Sequence, residues 1–173
     1  ETRRLLERLA KKERITAFAL LESWMTELLR PLGEVDQELS SIRYYYPSDR
    51  PLPEPLSDVE LGELESDDSE VIYRESGYRA YLSPDYLADQ IENGLSLGVR
   101  MDGRLVAWGT THDDLAIGNL HVLPEYRRRG YAASIVVGLA EALREAGFLP
   151  VMNIEVDNHH SRSLAETLGF KTD

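Results

Sequence analysis

Residues 120–147, LHVLPEYRRRGYAASIVVGLAEALREAG, place an apolar strand, a basic turn containing glycine and an amphipathic helix in immediate succession. Leu120 and Val122 favour a strand, and Pro124, which has no amide hydrogen, closes any ladder they join. Beyond the turn, Ile135, Val136, Leu139, Ala142, Leu143 and Ala146 recur at helical spacing as far as Gly147. The run Arg127-Arg128-Arg129-Gly130-Tyr131-Ala132 therefore leads into a helix N-terminus. There the first amides lack intrahelical partners and the helix dipole is positive, so phosphate oxygens can be held. Gly130 lets the backbone approach closely and Ala132 keeps the entrance uncrowded. Read alone, the three arginines are a solvated basic corner. The adjoining glycine, alanine and helix start favour a phosphate role.

Composition narrows the class of molecule. The 173 residues suit one domain with a sizeable core plus an appendage, and no apolar run approaches the ~20 residues that span a bilayer. The first residues form a charged helical pattern rather than a signal peptide, which leads to the expectation of a cytoplasmic location with no membrane partner. With no cysteine there is no disulfide and no thiolate nucleophile, and the four histidines show no metal-ligand spacing, so no metal is expected. The net charge of −12 is concentrated in residues 31–97, which carry 16 acidic and 4 basic side chains. Such a face disfavours nucleic acid and attracts cationic amines or lysine-bearing peptides, although acidic surfaces also serve solubility alone.

Residues 2–30 read as one long or two abutting amphipathic helices ending before Pro31, with Leu5, Leu6, Leu9, Ile15, Phe18, Ala19, Leu21, Leu28 and Leu29 on the apolar side. A short strand is expected at Ile42–Tyr46, ahead of a linker with four prolines between Pro47 and Pro55. Val59–Leu64 alternates like a strand, and Asp67–Ser76 reads as a helix capped near Ser66. Ser83 and Pro84 open a helix over Pro84–Asn93 that Gly94 ends. Leu95–Met101 and Arg104–Thr111 form a hairpin about Asp102-Gly103, and Leu115–Val122 is a third strand. The helix after Gly130 would cross from the Leu120 strand to the Val151 strand as its parallel neighbour in a mixed sheet.

The run Arg127–Ala132 matches the R/Q-x-x-G-x-G/A acyl-CoA loop, with Val122–Arg127 as its V-x-P-E-Y-R lead-in, PVMNIEV at 150–156 as a strand, and Asn158, Ser161, Gly169 and Phe170 spaced as in the segment that follows. In these features the chain resembles the Gcn5-related N-acetyltransferase (GNAT) superfamily, and within it the FR47-like branch, which includes glycine N-acyltransferase-like enzymes. The resemblance implies an α/β acyl-CoA N-acyltransferase fold with a mixed sheet. A helical region and proline-rich linker would occupy 1–56 and the acyltransferase domain 57–173. Members usually continue into one or two more strands after the counterpart of Phe170. The sheet edge is therefore expected to be truncated, absent or completed by another chain, for which strand exchange in a homodimer is one route.

The resemblance also implies a mechanism. The pantetheine arm of acetyl-CoA, or of another acyl-CoA, would lie along Leu120, His121 and Val122, with Arg127, Arg128, Arg129, Gly130, Tyr131 and Ala132 on the diphosphate and Asn158 and Ser161 completing the site. The Leu120 N–H would stabilise the oxyanion as a primary amine, on a small molecule or a peptide, attacks directly. Side chains are then needed only to move protons. The base that many members carry on this strand falls at Ala116 or Gly118, and the tyrosine acid at Ala165, so both usual groups are missing. Their absence favours the alternative of a catalytically inactive acyl-CoA-binding module that contacts a protein partner. Replacement proton carriers are His112 with Asp113 and Asp114, His121, or His159 and His160. Against these stand a strand histidine facing packed surface, aspartates serving a turn, and histidines at a helix start. Asn158 is a good cap in any protein. Trp24, Trp108 and Tyr44–Tyr46 either line an acceptor pocket or pack.

Overall fold

A computed structural model describes residues 4, 5, 8, 22–32, 34, 38–55 and 59–173. It divides into two compact units, Glu1–Leu39 and Ser40–Asp173. In the first, α1 (Ser23–Leu29) continues into a 3-10 turn, Arg30–Leu32, where Pro31 cannot supply the amide an α-helix needs. Arg30 meets Glu38 at 2.8 Å and Glu27 at 3.4 Å. Most of the helical pattern expected over 2–30, including Leu6, Leu9, Ile15, Phe18, Ala19 and Leu21, lies outside the described residues.

The second unit contains two three-stranded antiparallel sheets. In the first, β2 (Ser96–Met101), β3 (Arg104–Thr111) and β4 (Ile117–Val122) lie in that order. Asp102 (φ 51°) and Gly103 (φ 78°) both adopt the left-handed region that a two-residue hairpin loop requires. Helix α4 (Tyr131–Glu145) covers one face, and a Cβ at Gly109 would lie 2.8 Å from Ile135 Cγ2 and 3.3 Å from Leu139 Cδ1. Toward the other face come Leu64, packed over Gly98, and α2 (Asp68–Glu75), whose Asp68 accepts from Arg100 of β2. Helix α3 (Pro84–Asn93) begins as expected, Ser83 Oγ accepting from the Tyr86 amide at 3.1 Å.

In the second sheet β1 (Ser41–Tyr45) lies between β5 (Val151–Glu155) and β6 (Lys171–Thr172). The short strand foreseen at Ile42–Tyr46 is thus present, and the sheet is filled by a segment that precedes the proline-rich stretch. Because β1 is built into this sheet, the compact unit starts at Ser40 and encloses the stretch from Pro47 to Pro55, upstream of the boundary expected at 56/57. Arg144, in the last turn of α4, holds that stretch by donating to Pro47 O at 2.6 Å and Arg50 O at 2.7 Å while lying over the Tyr46 ring. Tyr44 and Tyr46 are buried, Tyr46 edge-on to Phe170 at 5.2 Å. Helix α5 (His159–Leu168) ends at Gly169, φ 97°.

Three expectations change. The segment Val59–Leu64 makes an isolated bridge, Gly62 with Gly98, instead of a strand. Soon after it the Asp68 carboxylate accepts the Glu65 amide at 2.8 Å and draws the chain into α2. Ser66 does not cap that helix; its hydroxyl donates to Glu92 at 2.6 Å. Nor are β4 and β5 paired neighbours: β5 takes its ladder from β1, β4 takes its ladder from β3, and no ladder joins the two. They approach near Asp114, whose Oδ2 accepts from Asn153 Nδ2 at 3.3 Å.

Filling the space above Gly109 should loosen the contact between α4 and the sheet. Gly109→Ala is expected to cost about 1–3 kcal/mol, read as a lower urea midpoint. An unchanged midpoint would show that α4 is not packed as closely as described.

Candidate functional site

After β4 the chain makes one 3-10 turn, Pro124–Tyr126, and then reaches left-handed Arg128 (φ 60°) and Gly130 (φ 84°) before α4 begins. The first helical bond runs from the Ser134 amide to Gly130 O at 3.0 Å. The amides of Tyr131, Ala132 and Ala133 therefore have no intrahelical acceptor, and Gly130 has no side chain to cap them. The arginines divide in role. Arg127 Nε donates to Val122 O at 3.0 Å, bracing the strand end against the turn. Arg129 Nη2 donates to Glu125 O at 3.2 Å with its guanidinium over Tyr126. Arg128 is exposed and has no hydrogen bond or ion pair of its own among the described residues.

The register of β4 against β3 shifts at its centre. Trp108 opposes His121 and Thr110 opposes Gly118, so Asn119 and Leu120 together face Gly109, an extra residue that makes a β-bulge. Asn119 is left-handed at φ 47° and its Nδ2 donates to Thr110 Oγ1 at 2.9 Å. Nothing in the sequence reading singled this residue out; a Gly-Asn dipeptide inside an apolar strand was the available signal. The bulge lies where the Leu120 N–H was expected to act.

Gly118 and His121 share the face opposite α4, because their partners Thr110 and Trp108 alternate with Gly109, which faces α4. The His121 ring stacks on Trp108, centroids 4.8 Å apart. His112 arrives from the turn after β3, and a Cβ placed on Gly118 would fall directly on its imidazole ring. The turn is held by the His112 amide bonding to Ala116 O at 2.9 Å and the Ala116 amide to Asp114 Oδ1 at 3.1 Å. Around it, Gln90 donates to Asp113, and Asp113 and Asp114 hold the Tyr86 hydroxyl above its ordinary pKa, after burial as the main cause. Burial lowers the pKa of both histidines; Asp114 and Asp113 partly offset this at His112, whereas Arg127 adds to it at His121.

The remaining candidates are more ordinary. Asn158 Oδ1 accepts the Ser161 amide at 3.1 Å, so it caps α5. His159 and His160 are exposed in the first turn of that helix. Ala116 and Ala165 are fully buried and carry no titratable group. Trp108, Tyr44 and Tyr46 are packing residues, and Trp24 is exposed in the first unit.

Residues 94–173 match the family described as FR47-like protein. Among solved structures, a Drosophila protein superposes with a TM-score of 0.74 at 22% identity, over 87% of this chain and 53% of its own. A GNAT-family protein from Novosphingobium aromaticivorans gives 0.64 at 24%, over 81% and 62%. An acetyltransferase of the GNAT family from Colwellia psychrerythraea gives 0.63 at 14%, over 99% and 69%. The chain thus spans about half the length of the first and less than two thirds of the second. At these identities the likeness is one of fold.

Both imidazoles bind protons less readily folded than unfolded, so their contribution to stability is complete above the ordinary histidine pKa and lost as pH falls through and below it. The melting temperature should fall between pH 7.5 and pH 5, and fall less in a His112→Gln/His121→Gln variant. Parallel curves for the two proteins would contradict the assignment.

Proposed function

We propose that the chain belongs to the GNAT superfamily, a reading supported by the FR47-like match over residues 94–173 and by the shared fold, and that it transfers an acyl group, most simply acetyl, from a CoA thioester to a primary amine. The observation that carries this reading is the uncapped start of α4 beside the gap between β4 and β5. Amides at Tyr131, Ala132 and Ala133 offer donors to a diphosphate, and exposed Arg128 adds charge. The open flank of β4 offers Leu120 and Val122 backbone groups to an extended pantetheine arm. Bound there, the co-substrate supplies the activated thioester carbon.

The chain's own part is small. At the bulge, the Leu120 N–H donates to the thioester carbonyl as negative charge gathers on its oxygen. An amine attacks without an acyl-enzyme, consistent with a chain that has no cysteine. Asp113, Asp114 and Tyr86 lie near His112 on the face from which the amine would enter, and they favour a cationic acceptor. Buried Ala165 cannot protonate the leaving thiolate, so that proton comes from solvent.

Acetyl-CoA with a panel of amines, amino acids and lysine peptides should release free thiol only when an acceptor is present. Acyl-CoA binding with no release across the panel would replace the enzyme by a binding module. Gly130→Asp should weaken CoA binding at least tenfold while the domain stays folded. An aspartate there would set its carboxylate charge against the diphosphate. Undiminished affinity would remove the diphosphate from this turn.

A further inference from the structure

We propose that His112, reaching over from the turn between β3 and β4, is the general base for the acceptor amine, in the space that a side chain on β4 would otherwise occupy. The inference rests on the transferase reading above and adds a residue to it. Gly118 is one of the two positions where a strand-borne base was expected. A Cβ there would overlap His112 Nε2 and come within 3.0 Å of Cε1, so the imidazole takes the volume of the missing side chain. It does so on the face opposite α4, across the sheet register from buried Thr110 and next to the bulge that carries the Leu120 amide. The glycine is thus a requirement of the arrangement, since any larger residue would expel the ring.

The surroundings suit a proton acceptor. Neither imidazole nitrogen has a hydrogen-bond partner among the described residues. The ring is part-buried, which keeps it neutral near pH 7 and able to accept. The charged and titratable groups about it are Asp113 and Asp114 on its own turn. Tyr86 of α3 faces both, Gln90 of α3 holds Asp113, and Asn153 of β5 holds Asp114. These carboxylates stabilise the imidazolium that forms. His121, on the same face, is stacked on Trp108 and lies beside Arg127, whose charge opposes protonation. In the transfer step the nitrogen–carbon bond forms and the carbon–sulfur bond breaks. The thiolate leaves with the bonding pair, and His112 takes the proton shed by the nitrogen and passes it to water.

The decisive measurements are kcat, KM for acyl-CoA and the pH profile, made on the full chain with the most active acceptor. His112→Gln should lower kcat about 100-fold or more, with acyl-CoA affinity unchanged. The acidic limb of the kcat profile, midpoint below the ordinary histidine range, should disappear with it. His121→Gln should keep the acidic limb whatever its effect on the rate. Gly118→Glu alone should be poorly active because its side chain meets the ring, while Gly118→Glu in a His112→Ala background should regain activity over His112→Ala. A His112→Gln enzyme with full kcat and an unchanged acidic limb would overturn the proposal while leaving the transferase reading intact. A wild-type chain that binds acyl-CoA and turns over no acceptor would overturn the transferase reading, and this proposal with it.

Discussion

The close packing of α4 over Gly109 is the constraint on which the rest of the unit depends. With helix side chains less than a normal contact distance from any Cβ at that position, β3 must present glycine there. Directly across, β4 spends two residues on that one, and Asn119 turns left-handed to do so. A bulge bends its strand and interrupts the ladder. The edge of β4 that would have joined β5 is left open, and β5 takes its hydrogen bonds from β1. The close helix contact at Gly109, the bulge opposite it and the unpaired flank of β4 thus meet at one place in the sheet.

The two ends of β4 are held by different chemistry. At its start, a compact turn is closed by backbone and aspartate hydrogen bonds and delivers His112 onto Gly118. At its end, Arg127 clamps Val122 O while left-handed Arg128 and Gly130 swing the chain into α4. The arginines that looked like one basic patch thus divide between bracing the turn and facing solvent. Such a division is physically sensible, since a helix N-terminus can offer oriented amides only if the turn before it is stiff.

Much of this was legible because it is local. The hairpin at Asp102-Gly103, the Ser83 cap with Pro84, and the succession of strand, turn and helix through Gly130 depend on backbone preferences expressed within a few residues. The strand at 59–64 was misread because period-2 alternation indicates a half-buried segment without saying whether its neighbour can pair beyond one bridge. The Val151 strand does come beside the Leu120 strand, near Asp114 and Asn153, but without a ladder between them. A helix crossover predicts adjacency, not a ladder, and which strand supplies the hydrogen bonds of β5 is settled by the distant segment β1. Sequence alone allows Tyr44, Tyr46 and Trp108 a place in a pocket or in the core, and their burial puts them in the core.

What the amino-acid order determined by itself is the set of parts: a phosphate-compatible turn ahead of a helix, a hairpin, capped helices, and glycine and alanine where a strand base and a helix acid are usual. Backbone torsion preferences and the chemistry of single side chains are properties of short segments, so they can be read before folding. Only the tertiary structure decided that the flank of β4 toward β5 carries no ladder, that β1 fills the second sheet, and that His112 covers Gly118. Those outcomes follow from close packing between elements distant in the chain, and excluded volume between two surfaces exists only once both have been brought together.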